Sequence, residues 1–368
     1  MAELIWKGKY DDDKRHVIRE QPLQGDSITH YPQFISDGFF TGDTPQGETS
    51  PTAGWHNRLI YGDKCQVLPA LLPEFAEKVN LIYIDPPFMT GRTFTSGSEL
   101  VYSDTWNNNL DAYLQWLYET FVALLPLLAN DGSLYVHLDW RVTHYARVML
   151  DEIFASGCET KGAGFKSEII WHYQSGGRSL RTFARKHDTI LLYAKSGKYC
   201  FHPERIGERR GSQKRNHMRK RIDTNGHVCW TIRSAGRTYS YDEDQLMTPC
   251  DVWSDISHLH QKDPERNGYA TQKPAALLER IIMASSEVDD LILDCFCGSG
   301  VAPAVAERLR RRWIACDQSE LAIKLTRERL LANERTYPFV LQHLPQSTVK
   351  HRISDSYGII QQANNLPT

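Results

Sequence analysis

Two short stretches combine residue types that could do chemistry. Asp85-Pro86-Pro87-Phe88 follows the apolar run at 79–84, and Asp294-Cys295-Phe296-Cys297-Gly298-Ser299-Gly300 follows the apolar residues 291–293. In doubly wound α/β sheets, ligands bind at the carboxyl ends of such buried strands. Proline has no N–H, so a turn made of an acid and two prolines presents a carboxylate and carbonyls with few competing donors. That acceptor set suits a ligand that donates N–H bonds, and a carboxylate there could stabilise positive charge that develops on it. Phe88 adds a flat aromatic face. Read blandly, the prolines only end a strand.

In the second loop the glycines let a ligand approach the backbone, and the helix that follows offers unpaired N–H groups. Seventeen residues beyond Gly300, Asp317 closes the next strand, placed to accept hydrogen bonds from ribose hydroxyls. A dinucleotide fingerprint would need a third glycine where Pro303 stands, so a nucleoside without pyrophosphate fits better.

These two loops and Thr271-Gln272-Lys273-Pro274 together resemble the S-adenosylmethionine-dependent DNA amino-methyltransferases. The acidic loop precedes the cofactor loop, with a recognition segment between them, which is similar to the β-class order of that family. The likeness covers roughly residues 56–335. It implies S-adenosyl-L-methionine as cofactor, a catalytic set of Asp85, Pro86, Pro87 and Phe88, and double-stranded DNA whose target base is flipped out of the stack. It also implies a cofactor site of Lys273, Pro274, Asp294, Phe296, Gly298, Ser299, Gly300 and Asp317, with Asp63 of the Tyr-Gly-Asp turn as a weaker candidate. Aspartate at the head of the motif favours adenine N6 within the resemblance. N4-cytosine, an inactive DNA-recognition subunit and an RNA methyltransferase remain the alternatives. The family's usual threonine after the last glycine is Val301, and its Gly-Asp before the cofactor strand is Asp289-Asp290. Methyl transfer from a sulfonium asks for no metal.

The elements that must position these loops follow from periodicity. Strands are expected at 58–61, 79–84, 133–139, 167–173, 188–194, 291–295 and 313–317, and helices near 64–78, 110–128, 141–156, 274–286, 301–311 and 319–334. This alternation predicts an α/β, Rossmann-like fold with a mostly parallel sheet, and the resemblance implies that the interruption is an inserted target-recognition region. The expected divisions are an irregular arm (1–55), a catalytic half (56–200), a basic recognition insert (201–262), a cofactor half (263–343) and a tail (344–368).

The net charge of −2 conceals a regional split. Residues 178–240 hold sixteen Lys or Arg against four acids, or +12, so the remaining chain carries −14. The basic stretch is the expected DNA-facing part, with Arg178, Arg181, Arg185, Arg209, Arg210, Lys214, Arg215, Arg219, Lys220 and Arg221 as phosphate contacts. With 41% apolar and 24% charged residues the chain is globular, not fibrous or disordered. No apolar stretch is long enough to span a membrane, no secretion signal is visible, and eight cysteines without CxxC spacing suit a reducing cytoplasm, there beside the nucleoid. A homodimer and a restriction-modification partner are compatible with the resemblance. Pro249-Cys250 lacks the context of a cytosine-C5 nucleophile. His217, His227, Cys229, Cys250, His258 and His260 lack zinc-site spacing.

Overall fold

The computed structural model describes residues 3–9, 35–40, 55–96, 99–158, 160–174, 179–209, 218–222, 226–242, 246–333 and 336–344. Residues 79–84 are apolar almost without interruption, and such a strand must be covered on both faces. It lies inside a sheet that has ten strands among the described residues: β1 (Ile35–Phe40), β2 (Asn57–Tyr61), β3 (Val79–Ile84), β4 (Leu128–Leu138), β5 (Gly164–His172), β6 (His187–Ala194), β7 (Val252–Trp253), β8 (Leu291–Asp294), β9 (Arg312–Asp317) and β10 (Phe339–His343). Their spatial order is β1-β10-β2-β9-β8-β3-β4-β6-β5-β7. The run from β10 to β4 is parallel, while β1 and β6 are antiparallel to their neighbours.

Alternate residues of each strand feed opposite cores. Ile82, Ile84, Leu134, Val136 and Leu293 pack against α1 (Lys64–Phe75), α2 (Leu110–Leu124) and α3 (Thr143–Gly157). Leu81, Tyr83, Tyr135 and Ile292 pack against α4 (Ala275–Ser285), α5 (Val301–Arg308) and α6 (Glu320–Leu331). Leu277, Leu278, Ile281 and Ile282 of α4 are all buried, each contributing roughly 1.5–3 kcal/mol. Three helices start on a side-chain cap, since Asp63, Asn109 and Ser319 accept from the backbone N–H of Cys65, Ala112 and Ala322. The α/β expectation therefore holds.

Three local features differ from the expectations. Strand β4 begins at Leu128, five residues before the expected start at 133, because Leu128 pairs with Val79 and a register shift absorbs the Asn-Asp-Gly that reads as a turn. Part of the region expected to be an irregular arm is the edge strand β1, paired to β10, a partner remote in sequence. Residues 3–9 of the same region are anchored as well: Trp6 is buried and its Nε1 donates to Gln115. Most of that arm, and the tail beyond 344, lie outside the described residues.

Adjacent strands β8 and β3 lead their chains in opposite directions, β8 to β9 and β3 to β4. That makes a topological switch point, where the loops after Ile84 and Asp294 open on the same edge. The insert forms a separate antiparallel sheet of Arg219–Ile222, Val228–Ser234 and Arg237–Asp242.

Candidate active site

Asp85 leaves β3 at this switch point. Its Oδ2 accepts a hydrogen bond from Lys273 Nζ at 2.5 Å, and its Oδ1 is buried without a partner. A buried, unpaired carboxylate oxygen is unfavourable and marks a place where a donor is missing. The loop is held rigidly around it. Tyr113 OH donates to Pro87 O at 2.8 Å, and buried Asp104 accepts from Met89 N, Thr90 N, Thr90 Oγ1 and Trp106 Nε1.

Phe88 stacks on His137 with ring centroids 6.1 Å apart and planes at 22°, and Lys273 Nζ lies 5.1 Å from the Phe88 ring centre. His137 is fully buried between Tyr83 OH (3.0 Å from Nδ1) and Asp188 Oδ2 (3.1 Å from Nε2), and Tyr173 OH donates to Asp188 Oδ1. Burial alone would raise the Asp188 carboxyl, but the hydrogen bond and charge of His137 hold it below its ordinary value.

The second loop turns through Gly298 (φ +49°) and Gly300 (φ +75°) before α5. A Cβ on Gly298 would sit 2.9 Å from the Tyr269 ring, which would have to shift, and one on Gly300 2.7 Å from Thr326 Cα, where backbone stands in the way, so glycine is favoured at both positions. Gly298 N donates to Asp317 Oδ2 at 3.0 Å and Phe296 N to Asp294 Oδ1 at 2.9 Å. Desolvation pushes the Asp294 carboxyl up to about 8 and that of Asp317 to about 6. Asp85, Asp294, Gly298 and Asp317 share the wall of one cavity, to which Lys64, Trp116 and Tyr269 also contribute.

Residues 79–328, well over half of the chain, match the DNA methylase family of N6/N4 amino-methyltransferases. The chain belongs to that family. Among its relatives, the DNA adenine methyltransferase YhdJ of Escherichia coli K12 is 29% identical over 276 residues, spanning 74% of this methylase and 82% of YhdJ. Type II methyltransferase M.EcaI of Enterobacter cloacae is 28% identical over 320 residues, spanning 74% and 69% of the two chains. Among solved structures, the cytosine-N4-specific PvuII DNA methyltransferase superposes with a TM-score of 0.49 at 19% identity, covering 82% of this chain and 91% of that one.

S-adenosylmethionine is the methyl donor of this methylase. The cavity fits it. The orphaned Asp85 oxygen lies on the same wall as Gly298, which carries no Cβ to crowd a ligand, and Asp317 stands at the end of the next strand.

The tertiary structure brings together Asp63, Asp85, Pro87, Lys273, Asp294, Phe296, Gly298, Ser299 and Asp317. Two expected cofactor residues stand apart from the cavity wall. Pro274 is buried as the N-cap of α4, and Gly300 serves the close approach of Thr326, so both shape the backbone behind the site. Lys273 does more than border a cofactor pocket, because it is the ion-pair partner of Asp85. Both oxygens of Asp317 already accept backbone N–H bonds, from Gly298 and Ser319, leaving only their second lone pairs for a ribose. Of the expected catalytic set, Pro86 and Phe88 stand off the cavity wall, with Phe88 held by its own stack on His137.

Of the expected DNA contacts, Arg219, Lys220 and Arg221 are exposed on one strand of the small sheet, and Arg181 and Arg185 are exposed between β5 and β6. Arg209 lies on a short strand, while Arg178, Arg210, Lys214 and Arg215 fall outside the described residues. Because β5 runs parallel to β3 and β6 antiparallel to it, the end of β5 and the start of β6 lie at the same edge as Asp85, and the described residues 179–186 lead into β6 there. Its Leu180 and Phe183 are each 98% exposed. Sequence reasoning missed Lys64, Trp116 and Tyr269 in the cavity and the His137–Asp188 pair under Phe88. None of these lies in a motif, and only the fold gathers them. Cys250 is exposed, with its Sγ directed to Val252 O, apart from the cavity.

Proposed function

We propose that this site-specific DNA methyltransferase methylates the N6 amino group of adenine after flipping the base out of duplex DNA. The observation that carries the reading is the Asp85 carboxylate, with Oδ2 taken by Lys273 and Oδ1 buried and free, in the cavity that also holds the glycine loop. When bound, S-adenosylmethionine supplies a methyl group already activated on a sulfonium. Asp85 Oδ1 accepts one amino N–H of the base and the Pro86 carbonyl accepts the other, so the nitrogen lone pair faces the methyl carbon. As positive charge develops on nitrogen, the carboxylate stabilises it. Lys273 fixes the carboxylate rotamer so that Oδ1, not Oδ2, meets the base.

Phe88, braced by His137, stacks on the flipped base. Arg181 and Arg185 contact phosphates, while Leu180 and Phe183, apolar and uncovered, enter the stack that the base vacates. The aspartate at the head of the motif and the adenine specificity named for YhdJ support adenine over cytosine N4.

The test is transfer of labelled methyl groups to plasmid DNA followed by mapping of modified bases. N6-methyladenine at one sequence, lost in Asp85→Ala, is the expected result. Methylcytosine would overturn the base assignment, and equal transfer by Asp85→Ala would overturn the catalytic one.

A further inference from the structure

Lys64 opens α1 on the cavity wall and is only 5% exposed. Its Nζ lies 2.9 Å from Cys65 Sγ and 4.5 Å from the centre of the Trp116 ring, which in turn packs 5.6 Å from Phe296. Neither contact is an anion. Desolvation holds the Cys65 thiol above its ordinary value despite the neighbouring ammonium, so Sγ offers no charge. The adjacent Asp63 uses its carboxylate to cap α1, accepting from Cys65 N at 2.7 Å. Among the described residues no carboxylate is paired with Lys64.

A buried ammonium without a counter-charge is strongly unfavourable, and an aromatic face and a thiol offset only part of the desolvation. A ligand that brings the missing anion supplies the rest. The other lysine on this wall, Lys273, is already paired with Asp85. Lys64 is thus the cavity cation left to receive a charge from outside the protein, and S-adenosylmethionine carries a single anionic group.

We propose that Lys64 binds the α-carboxylate of the cofactor's methionine end, between Trp116 and Phe296. Asp317 and Gln318, on the same wall, are then left for the nucleoside end. Lys64 thereby discriminates complete amino-acid cofactors from shortened ones. The inference rests on the methyl donor and is independent of which base is methylated. The residue is inconspicuous in the sequence, since a lysine at the start of a helix reads as solvated surface.

Calorimetric titration with two uncharged-sulfur ligands tests it: S-adenosylhomocysteine, and its decarboxylated analogue S-adenosyl-3-thiopropylamine, which keeps the amine. The unsubstituted protein should prefer the carboxylate-bearing ligand by roughly 10- to 100-fold, the range of a charge-assisted hydrogen bond. Lys64→Met should lose that factor for S-adenosylhomocysteine and leave the decarboxylated ligand within about threefold, and Lys64→Arg should keep most of the preference. Equal binding of the two ligands by the unsubstituted protein overturns the proposal, and this comparison stands even if Lys64→Met does not fold. So does a Lys64→Met protein that weakens both ligands alike. No binding of either ligand would overturn the methyl-donor assignment as well, which separates the two failures.

Discussion

Lys273 Nζ donates to Asp85 Oδ2 across 2.5 Å, joining residues 188 positions apart. The contact makes the two oxygens of one carboxylate inequivalent, one held by the protein and one buried and open to a donor. It also ties the loop after β3 to the segment that leads into α4, so the carboxylate proposed to be catalytic is positioned by segments remote in sequence.

Lys273→Met is expected to lower kcat roughly 10- to 100-fold, the worth of one charge-assisted bond, while the affinity for S-adenosylhomocysteine changes less than about threefold. Lys273→Arg should restore part of kcat. Steady-state kinetics beside calorimetry check the split, and a loss confined to KM for the cofactor would contradict the positioning role.

The carboxyls of Asp294 and Asp317 give the cavity a pH dependence. With values near 8 and 6, both are mostly protonated at pH 5 and mostly ionised at pH 9. Ionisation adds negative charge beside a cationic sulfonium. The ratio of S-adenosylmethionine to S-adenosylhomocysteine affinity should therefore rise with pH. Asp317→Asn should flatten the step near pH 6 and Asp294→Asn the step near pH 8, each read by titration across the range.

The same raised carboxyl affects folding. An Asp294 that titrates near 8 when folded and near 3.9 when unfolded holds a proton that the unfolded chain releases. Its contribution to the ligand-free protein is present below about pH 4 and is lost as pH climbs through the folded value. In urea melts between pH 5 and pH 9, Asp294→Asn should show a smaller loss of stability with rising pH than the unsubstituted protein.

Gly298→Ala and Gly300→Ala should fail in different ways. The Cβ at 298 meets a tyrosine ring that can shift, at the cavity wall, whereas at 300 it meets the Thr326 backbone. Gly300→Ala is expected to be the more destabilising, by roughly 1–3 kcal/mol, on the strain of a left-handed alanine and the clash. Gly298→Ala should keep more of its stability and lose roughly tenfold or more in S-adenosylhomocysteine binding. Thermal melts and calorimetry separate the two.

On the DNA side, replacing Arg219, Lys220 and Arg221 with glutamine should weaken duplex binding for all sequences and reduce the salt slope by about one for each phosphate no longer neutralised. Phe183→Ala should instead leave the slope unchanged and lower kcat on duplex DNA, with recovery when the target base is already mismatched. Fluorescence anisotropy over a salt series and single-turnover assays provide both readouts.

The sequence by itself determined most of the central strands and the place of the two loops, because these depend on local properties. The largely apolar runs at 79–84 and 291–293, short and bounded by turn residues, read as doubly covered strands. Asp-Pro-Pro-Phe presents mainly acceptors and a ring, because its two prolines carry no N–H, and positive-φ glycines before a helix leave a characteristic spacing. The regional charge was legible as well, since counting needs no fold. What only the tertiary structure decided is which residues meet. The partner of Asp85 comes from 188 positions away, the brace under Phe88 comes from β4 and β6, and Lys64 becomes a buried cation only once α2 lays Trp116 across it. Strand β1 was illegible for the same reason, because its stabilising partner is the remote β10. Local pattern fixes what a segment can become. The environment of a charge or ring is set by residues that share no neighbourhood in sequence, and in this cavity that environment assigns each group its role.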